Sequence, residues 1–431
     1  RSRIWRYQMA WLFLLLTLIG AWLAWNVWNP RYAPGKVAVL SFFSGWLTGE
    51  LALHHIAWQV LATLLFARLG ALHFWAGKLG LLIAIGSWVS LWRFYFAGRA
   101  ADGAMERALV EALGADYRKS IRSDLAMKFP KQVDWSEILR PFPMRDPDVE
   151  RIRDIRYSRV SGLNLKLDVY RHKSRPQNCP TLLQIHGGGW VIGSKNEQGI
   201  PLMLHLAARG WVCVSVDYRL SPHATFPDHL VDLKRSIQWI REHGAEYGAN
   251  PDFLVVTGGS AGGHLAALVG LTANDPEYQP GFEDVDTSVR ACVPFYGVYD
   301  FVDRHQTLHS PDLLDLLETK VMKASLSEAP EAYEKASPIA RVHPAAPPTL
   351  VIHGDRDTLV PLKQAHHFVD KLREVSRNPV AFAEIAGAQH AFEIFPSLRQ
   401  VLVIYGAERF LAYVYSQYLA QQVPPKEAQA A

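Results

Sequence analysis

The sequence has few cysteines and little net charge. Its three cysteines, Cys179, Cys213 and Cys292, lie far apart and lack the spacing of metal ligands. Cys213 and Cys292 sit inside apolar runs, where we interpret them as small buried hydrophobic residues. The net charge is only +4, and no basic stripe is interleaved with aromatic residues. The composition therefore argues against nucleic acid as a partner and gives no sign of a cysteine-bound metal.

Charged residues are also absent from a long segment near the N-terminus. Met9 to Trp28 contains none, and at about 1.5 Å per residue it is long enough to cross a bilayer as a helix. Two further apolar blocks occupy residues 37–69 and 79–96. We predict a transmembrane helical region over residues 1–99 with three spans, and two or four spans are the alternatives.

Glu50 interrupts the second apolar block. A charge at the middle of a bilayer costs about 2.5–3.5 kcal/mol on insertion scales. We therefore expect Glu50 to mark a break, a re-entrant turn or a helix–helix contact. Basic residues flank both ends of the apolar region, so their distribution does not determine on which side of the membrane the rest of the chain lies.

The remainder of the chain has the pattern of an α/β domain. Residues 100–150 are charged and helix-prone and then broken by prolines, which predicts a linker or cap segment. From 151 to 422, short β-rich runs such as Val380–Ile385 alternate with helical patterns such as Leu362–Val375, and this predicts a mostly parallel sheet with helices on both faces. An insertion over about 302–347 could cover the active site or simply pack on the surface. Residues 423–431 are interpreted as a tail.

A candidate nucleophile lies in Gly258-Gly259-Ser260-Ala261-Gly262. This Gly-x-Ser-x-Gly motif follows an apolar strand pattern and precedes a helical one, which is the strand–turn–helix context that exposes a nucleophilic serine. The glycines allow a strained turn and a close approach of neighbouring chains. We predict Ser260 to be the nucleophile.

A second glycine-rich loop, His186-Gly187-Gly188-Gly189-Trp190, follows an earlier strand pattern. Unobstructed backbone N–H groups can bind a developing oxyanion. We predict that Gly187, Gly188 and Ala261 donate these hydrogen bonds, and that Trp190 contacts the substrate.

A serine hydroxyl needs a base, and the base needs a group that orients it. His390 follows one late strand pattern, and Asp355 and Asp357 follow the strand pattern before it. This is the chain order of serine, acid and histidine expected for such a fold. We favour Asp357 because it lies further into its loop, and Asp355 is the alternative.

These motifs resemble those of a known family. The His186–Trp190 loop, Asp217-Tyr218-Arg219-Leu220-Ser221-Pro222, Phe226-Pro227 and Gly258–Leu265 are similar to the hormone-sensitive-lipase-like esterases of the α/β-hydrolase fold. His353-Gly354-x-x-Asp357-x-x-Val360-Pro361 resembles the feruloyl- and acetyl-xylan-esterase branch of the carboxylesterases. The resemblance implies the triad Ser260, Asp357 and His390, with Gly187, Gly188 and Ala261 as oxyanion donors. Many members have Asp before the nucleophile, where this chain has Gly259.

The main hypothesis is a membrane-anchored serine carboxylesterase or lipase that forms an acyl-serine intermediate. Its expected partners are a small-molecule or lipid ester and membrane lipid, and no metal or organic cofactor is implied. The apolar N-terminus resembles that of bacterial membrane-bound lipases and esterases, which implies a multi-pass protein of the inner membrane. Two alternatives are acyl transfer to a membrane alcohol and a non-catalytic small-molecule receptor. The sequence leaves the oligomeric state open.

Overall fold

The computed structural model describes residues 2–33, 35–142, 144–308 and 311–422. The predicted tail at 423–431 lies outside these residues. The chain begins with four helices: α1 Ser2–Trp28, α2 Gly35–Glu50, α3 Ala52–Arg68 and α4 Trp75–Ala97. In the described part of the chain, two helices are long and apolar enough to cross a membrane. A third span results if α2 and α3, which meet at a bend of 85°, are counted as one.

Aromatic contacts fix the directions of these helices. Tyr7 and Trp28, at opposite ends of α1, contact Phe74 and Phe94 at the matching ends of α4, so the two helices run parallel. Between them α3 returns in the opposite direction and ends near the start of α1, where Phe66 stacks on Phe13 with 5.4 Å between ring centroids. Helices α1, α3 and α4 therefore form one bundle, and α2 lies across the end of the bundle where α1 and α4 terminate.

The rest of the chain folds around an eight-stranded sheet of order β1-β2-β4-β3-β5-β6-β7-β8. Its strands are β1 Val149–Val160, β2 Leu163–His172, β3 Cys179–Ile185, β4 Val212–Val216, β5 Ala249–Gly259, β6 Ala291–Phe295, β7 Thr349–Gly354 and β8 Val380–Ile385. Strands β1, β2 and β4 pair antiparallel, and all the other pairs are parallel. Strands β3, β4 and β6 are buried along their whole length, which is why they read as continuous apolar runs.

Helices cover both faces of the sheet, and two large apolar clusters fill the space beneath them. These helices are α5 Ala100–Leu113, α6 Ser123–Ala126, α7 Trp135–Leu139, α8 Ile200–Ala207, α9 Asp228–His243, α10 Ala261–Leu271, α11 Asp312–Leu316, α12 Pro330–Ala336, α13 Leu362–Val375 and α14 Leu398–Gln422. The predicted class, a mostly parallel sheet with helices on both faces, is confirmed.

Two segments whose roles the sequence left open contain elements that pack into the core. The predicted linker or cap at 100–150 contains α5, whose buried Met105 and Leu109 belong to the core beside α14 and β8. In the insertion at 302–347, α11 continues into a π-helical turn over Leu317–Val321, and Leu317 and Val321 are buried. Part of the insertion therefore packs into the core, while α11 borders the glycine-rich loop that follows β3.

Candidate active site

Ser260 occupies a strained turn between β5 and α10. Its φ of 58° and ψ of −122° are unusual for a residue with a side chain. The flanking glycines are required by space, because a Cβ at Gly258 or Gly262 would come within 2.6 Å of the Ile185 carbonyl oxygen. The Ser260 N–H donates to the Phe295 carbonyl at 3.0 Å, which holds the turn against β6. The serine is thus presented at the carboxyl edge of the parallel strands, where such sheets place their sites.

Asp357 and His390 form a direct pair at the same edge. His390 Nδ1 lies 2.6 Å from Asp357 Oδ2, and both side chains are buried. Asp355, the alternative acid, instead accepts the Gly387 N–H at 2.7 Å. The structure therefore pairs the histidine with the acid that the sequence favoured.

The surroundings of Asp357 keep it ionised. Its Oδ1 accepts the N–H groups of Leu359 at 2.9 Å and Val360 at 2.8 Å, and His353 Nε2 lies 3.3 Å from its Oδ2. Burial by itself raises the pKa of Asp357, but His390 and His353 outweigh that effect and hold the pKa well below its usual range. A carboxylate with these contacts fixes the orientation of the His390 ring and can stabilise its protonated form.

Tyr296 connects His390 to the turn that carries Ser260. Its ring lies 4.5 Å from the His390 ring, and its hydroxyl is 2.5 Å from where a Cβ at Gly259 would stand. His390 is therefore one side chain away from the residue that precedes Ser260. Among the described residues, the Ser260 hydroxyl has no hydrogen-bond partner, and such contacts often tighten only when substrate binds.

The oxyanion loop departs from its prediction at one glycine. The Gly187 N–H donates to the Gln198 side chain at 2.6 Å, so its assignment as an oxyanion donor is corrected. Within the described residues, the N–H groups of Gly188, Gly189 and Ala261 have no acceptor. Gly188 and Gly189 have φ of 111° and 59°, a backbone that turns their amides away from the strand direction. Among the three glycines of this loop, the described residues thus leave the amides of Gly188 and Gly189 without an acceptor, where the sequence favoured Gly187 and Gly188.

Trp190 also differs from its prediction as a substrate contact. Its side chain is 2% exposed, its indole N–H donates to His264 Nδ1 at 3.2 Å, and its ring contacts Phe301. The left-handed turn at Gly188, Gly189 and Trp190 points the indole into the core. Trp190 anchors the oxyanion loop from below, and this corrects the sequence assignment.

Three polar residues beside the predicted triad were missed by the sequence analysis. Gln389 Oε1 accepts the N–H of Thr358 at 2.8 Å and that of His390 at 2.9 Å, so it ties the acid loop to the base loop. The Tyr296 hydroxyl donates to Glu393, and burial raises the pKa of this carboxyl group to about 6. Two of these residues could have been found from their positions, because Tyr296 directly follows β6 and Glu393 lies three residues after His390.

Within the described ranges no cluster of histidine, cysteine and acidic side chains is arranged to hold a metal ion.

Comparison with known proteins gives a consistent result. The BD-FAE family model matches residues 167–372. A probable carboxylic ester hydrolase of Mycobacterium tuberculosis, LipM, is 40% identical over 93% of this chain and 92% of its own length. The esterase LipQ of the same organism is 38% identical over 78% of this chain and 79% of LipQ.

Solved structures agree with the sequence relatives. The butyrate-bound thermophilic esterase Est2 of Thermogutta terrifontis is 27% identical, with a TM-score of 0.50, over 65% of this chain and 93% of that one. A truncated carbohydrate esterase from gut microbiota shares the fold, with a TM-score of 0.52 and 23% identity over 60% of this chain and 96% of that one.

Proposed function

This chain belongs to the carboxylic ester hydrolases of the α/β-hydrolase fold, and on that premise we propose that it cleaves esters through an acyl-enzyme on Ser260 while anchored in a membrane. The observation that carries the mechanism is the 2.6 Å pair of His390 and Asp357 at the sheet edge that also presents Ser260. As an enzyme of this class it is not the receptor considered from its sequence.

The first half-reaction forms the acyl-enzyme. His390 Nε2 takes the proton of the Ser260 hydroxyl as Oγ attacks the ester carbonyl carbon, and Asp357 stabilises the resulting imidazolium. The N–H groups of Gly188, Gly189 and Ala261 bind the negative oxygen of the tetrahedral intermediate, at the N-terminal end of α10. The imidazolium then protonates the leaving alcohol oxygen as its bond to the acyl carbon breaks.

The second half-reaction reverses these roles. His390 takes a proton from water, the hydroxide attacks the acyl carbon, and the imidazolium returns that proton to Ser260 Oγ as the carboxylic acid leaves. The buried position of Asp357 supports this role, because its charge stays close to the imidazole and is little screened by water.

Substitution of the nucleophile tests this mechanism. Ser260→Ala should lower p-nitrophenyl ester turnover by at least 10⁴-fold and abolish fluorophosphonate labelling, since the nucleophile itself is gone. Ser174→Ala, in the exposed turn after β2, is the matched control and should keep both signals. Equal labelling of wild type and Ser260→Ala would refute the assignment of Ser260.

Membrane anchoring is supported by the apolar bundle of α1, α3 and α4. Many of its large apolar side chains face outward, among them Leu18 at 50%, Leu61 at 67% and Leu82 at 68% exposed, which is unfavourable in water. Full-length protein should remain in the membrane pellet after alkaline carbonate extraction. Release of the chain by carbonate would contradict anchoring and leave the catalytic proposal intact.

A further inference from the structure

Helix α2 lies between the apolar bundle and the active site. It is bent by 85° from α3, so its axis runs across the bundle and not along it. Its last turn meets the ends of α1 and α4, since a Cβ at Gly49 would lie 3.7 Å from Val27 and 2.9 Å from Phe94. The indoles of Trp25 and Trp28 are partly exposed at the same end of α1. Indoles favour the headgroup level, so α2 has the position of a helix in the plane of the membrane interface.

The inner face of α2 packs on the two loops that carry Asp357 and His390. The Thr358 hydroxyl, next to the acid, donates to the Ala38 carbonyl at 3.1 Å. The Phe42 ring meets the His390 ring edge to face, with 5.8 Å between centroids. One turn later Trp46 stacks on Phe395 at 5.2 Å. A helix of the N-terminal region therefore forms one wall of the triad.

The outer face of α2 is apolar and open. Val37, Leu40, Phe43 and Leu47 are between 36% and 57% exposed, and their spacing of three or four residues places them on one side of the helix. Lys36, also exposed, stands at the N-terminal end of this side. An apolar face with a basic residue at its margin, continuous with the exposed apolar surface of the bundle, matches a phospholipid surface.

Helices α2 and α11 touch at their first turns, where the Asp312 carboxylate fills the space that a Cβ at Gly35 would take, and a narrow gap lies beside this contact. A cavity of about 70 Å³ lies there, lined by Ala38 and Val39 of α2, Leu308 and Leu313 of the insertion, and Leu359 of the acid loop. Leu316 of α11 lies against the oxyanion loop, 3.3 Å from where a Cβ at Gly189 would stand. The cavity thus reaches the acid loop from the lipid-facing side of α2, and α11, which lines it, ends against the glycine-rich loop that follows β3.

We propose that α2 is the membrane-facing wall of the active site, and that esters whose acyl chains lie in the adjoining lipid leaflet reach Ser260 between α2 and α11. The proposal rests on the esterase function proposed above and adds a class of substrate and a route. The outer face of α2 inserts into the leaflet to the depth of the lipid ester groups, and its inner face holds Phe42 against His390. Turnover of esters dissolved in water does not depend on this insertion.

A comparison of two substrates tests the route with full-length protein in phosphatidylcholine vesicles. One substrate is p-nitrophenyl acetate in the water phase, and the other is a fluorogenic palmitoyl ester embedded in the vesicles. Leu40→Glu places a charge on the outer face and should lower the ratio of embedded to soluble turnover at least tenfold. Leu163→Glu, at a comparably exposed position at the start of β2, is the matched control and should leave the ratio unchanged.

The outcomes separate the two proposals. An unchanged ratio in Leu40→Glu would overturn the route through the leaflet. Absence of soluble turnover and of fluorophosphonate labelling in the wild type would instead refute the esterase mechanism. If Leu40→Glu does not fold, a nitroxide on Leu40→Cys decides, because the native cysteines are buried. Collisions with oxygen should exceed those with a water-soluble nickel complex at residue 40, with the reverse at Leu163→Cys, and a water-exposed label at residue 40 would overturn the proposal.

Discussion

The buried ion pair between Glu50 and Arg399 joins α2 to the start of α14, directly after the loop that carries His390. Arg399 Nη1 donates to Glu50 Oε1 at 2.5 Å, the Ser397 hydroxyl donates to Glu50 Oε2 at 2.6 Å, and both charged side chains are at most 3% exposed. Arg399 Nε also donates to the Ala386 carbonyl at 3.1 Å. Through these bonds Arg399 ties the two ends of the segment 386–399, which contains His390, to each other and to α2. The charge expected from the sequence to break an apolar segment does end α2, and it contacts the catalytic domain.

Glu50→Gln should destabilise the protein, because it leaves the Arg399 charge buried without its counter-charge. Breaking one partner of such a pair costs about 3–5 kcal/mol. With an unfolding entropy of about 2 cal/mol/K per residue over roughly 270 residues of catalytic domain, the loss corresponds to a Tm lower by about 5–9 °C. Turnover should fall as well, since the loop at 386–399 holds the base.

A double-mutant cycle measured by thermal unfolding of detergent-solubilised protein tests this magnitude. Arg399→Met alone should also destabilise, while Glu50→Gln with Arg399→Met should lose less than the sum of the single losses, because no buried charge remains unpaired. Lys371→Met breaks an exposed pair with Glu374 and is the control, with an expected change of at most about 1 kcal/mol. Additive losses, or a Tm for Glu50→Gln within about 1 °C of the wild type, would refute the coupling.

Two further predictions concern the neighbours of the nucleophile. Burial raises the pKa of the Glu393 carboxyl group from 4.5 to about 6, so the folded state binds a proton there more tightly than the unfolded state does. The free energy of unfolding should therefore fall by about 2 kcal/mol as the pH rises from 4.5 through 6. Denaturant unfolding should show this decline in the wild type and its loss in Glu393→Gln, and parallel curves for the two would contradict the assignment. Gly259→Ala places a Cβ 2.5 Å from the Tyr296 hydroxyl and should lower kcat at least tenfold; wild-type kinetics in this variant would show that the contact is unimportant.

The elements of the catalytic domain could be predicted because their signals are local. The strand at Val380–Ile385 and the helix at Leu362–Val375 have the predicted bounds, since a buried strand and an amphipathic helix each leave a period in their own residues. Ser260 could be found for the same reason, because the glycines that its turn needs are adjacent to it. The helix-prone character of residues 100–113 was visible in the sequence, but their charge concealed the burial of α5, although its buried residues, Ala101, Met105, Ala108 and Leu109, follow a helical period.

The oxyanion loop shows where local signals end. Three successive glycines reveal that the backbone bends sharply, but not which N–H faces the substrate, because glycine occupies both signs of φ at little cost. That choice is set by Gln198, which accepts the Gly187 N–H and leaves Gly188 and Gly189 free. The direction of the Trp190 indole likewise depends on His264, a partner 74 residues away. The sequence contains these partners but does not indicate the pairing.

Gly259 stands where many family members have Asp, and the reason for this difference lies in other segments of the chain. Where many family members have Asp before the nucleophile, a side chain here would collide with Tyr296 and approach Glu393 Oε1 to 3.0 Å. A carboxyl group does lie against this position, but it comes from the base loop and is held by the Tyr296 hydroxyl. Glycine at 259 is therefore the space that the Tyr296–Glu393 pair requires. Tyr296 also contacts His390. The Tyr296–Glu393 pair therefore connects the turn of Ser260 to the loop of His390 and leaves the predicted triad unchanged.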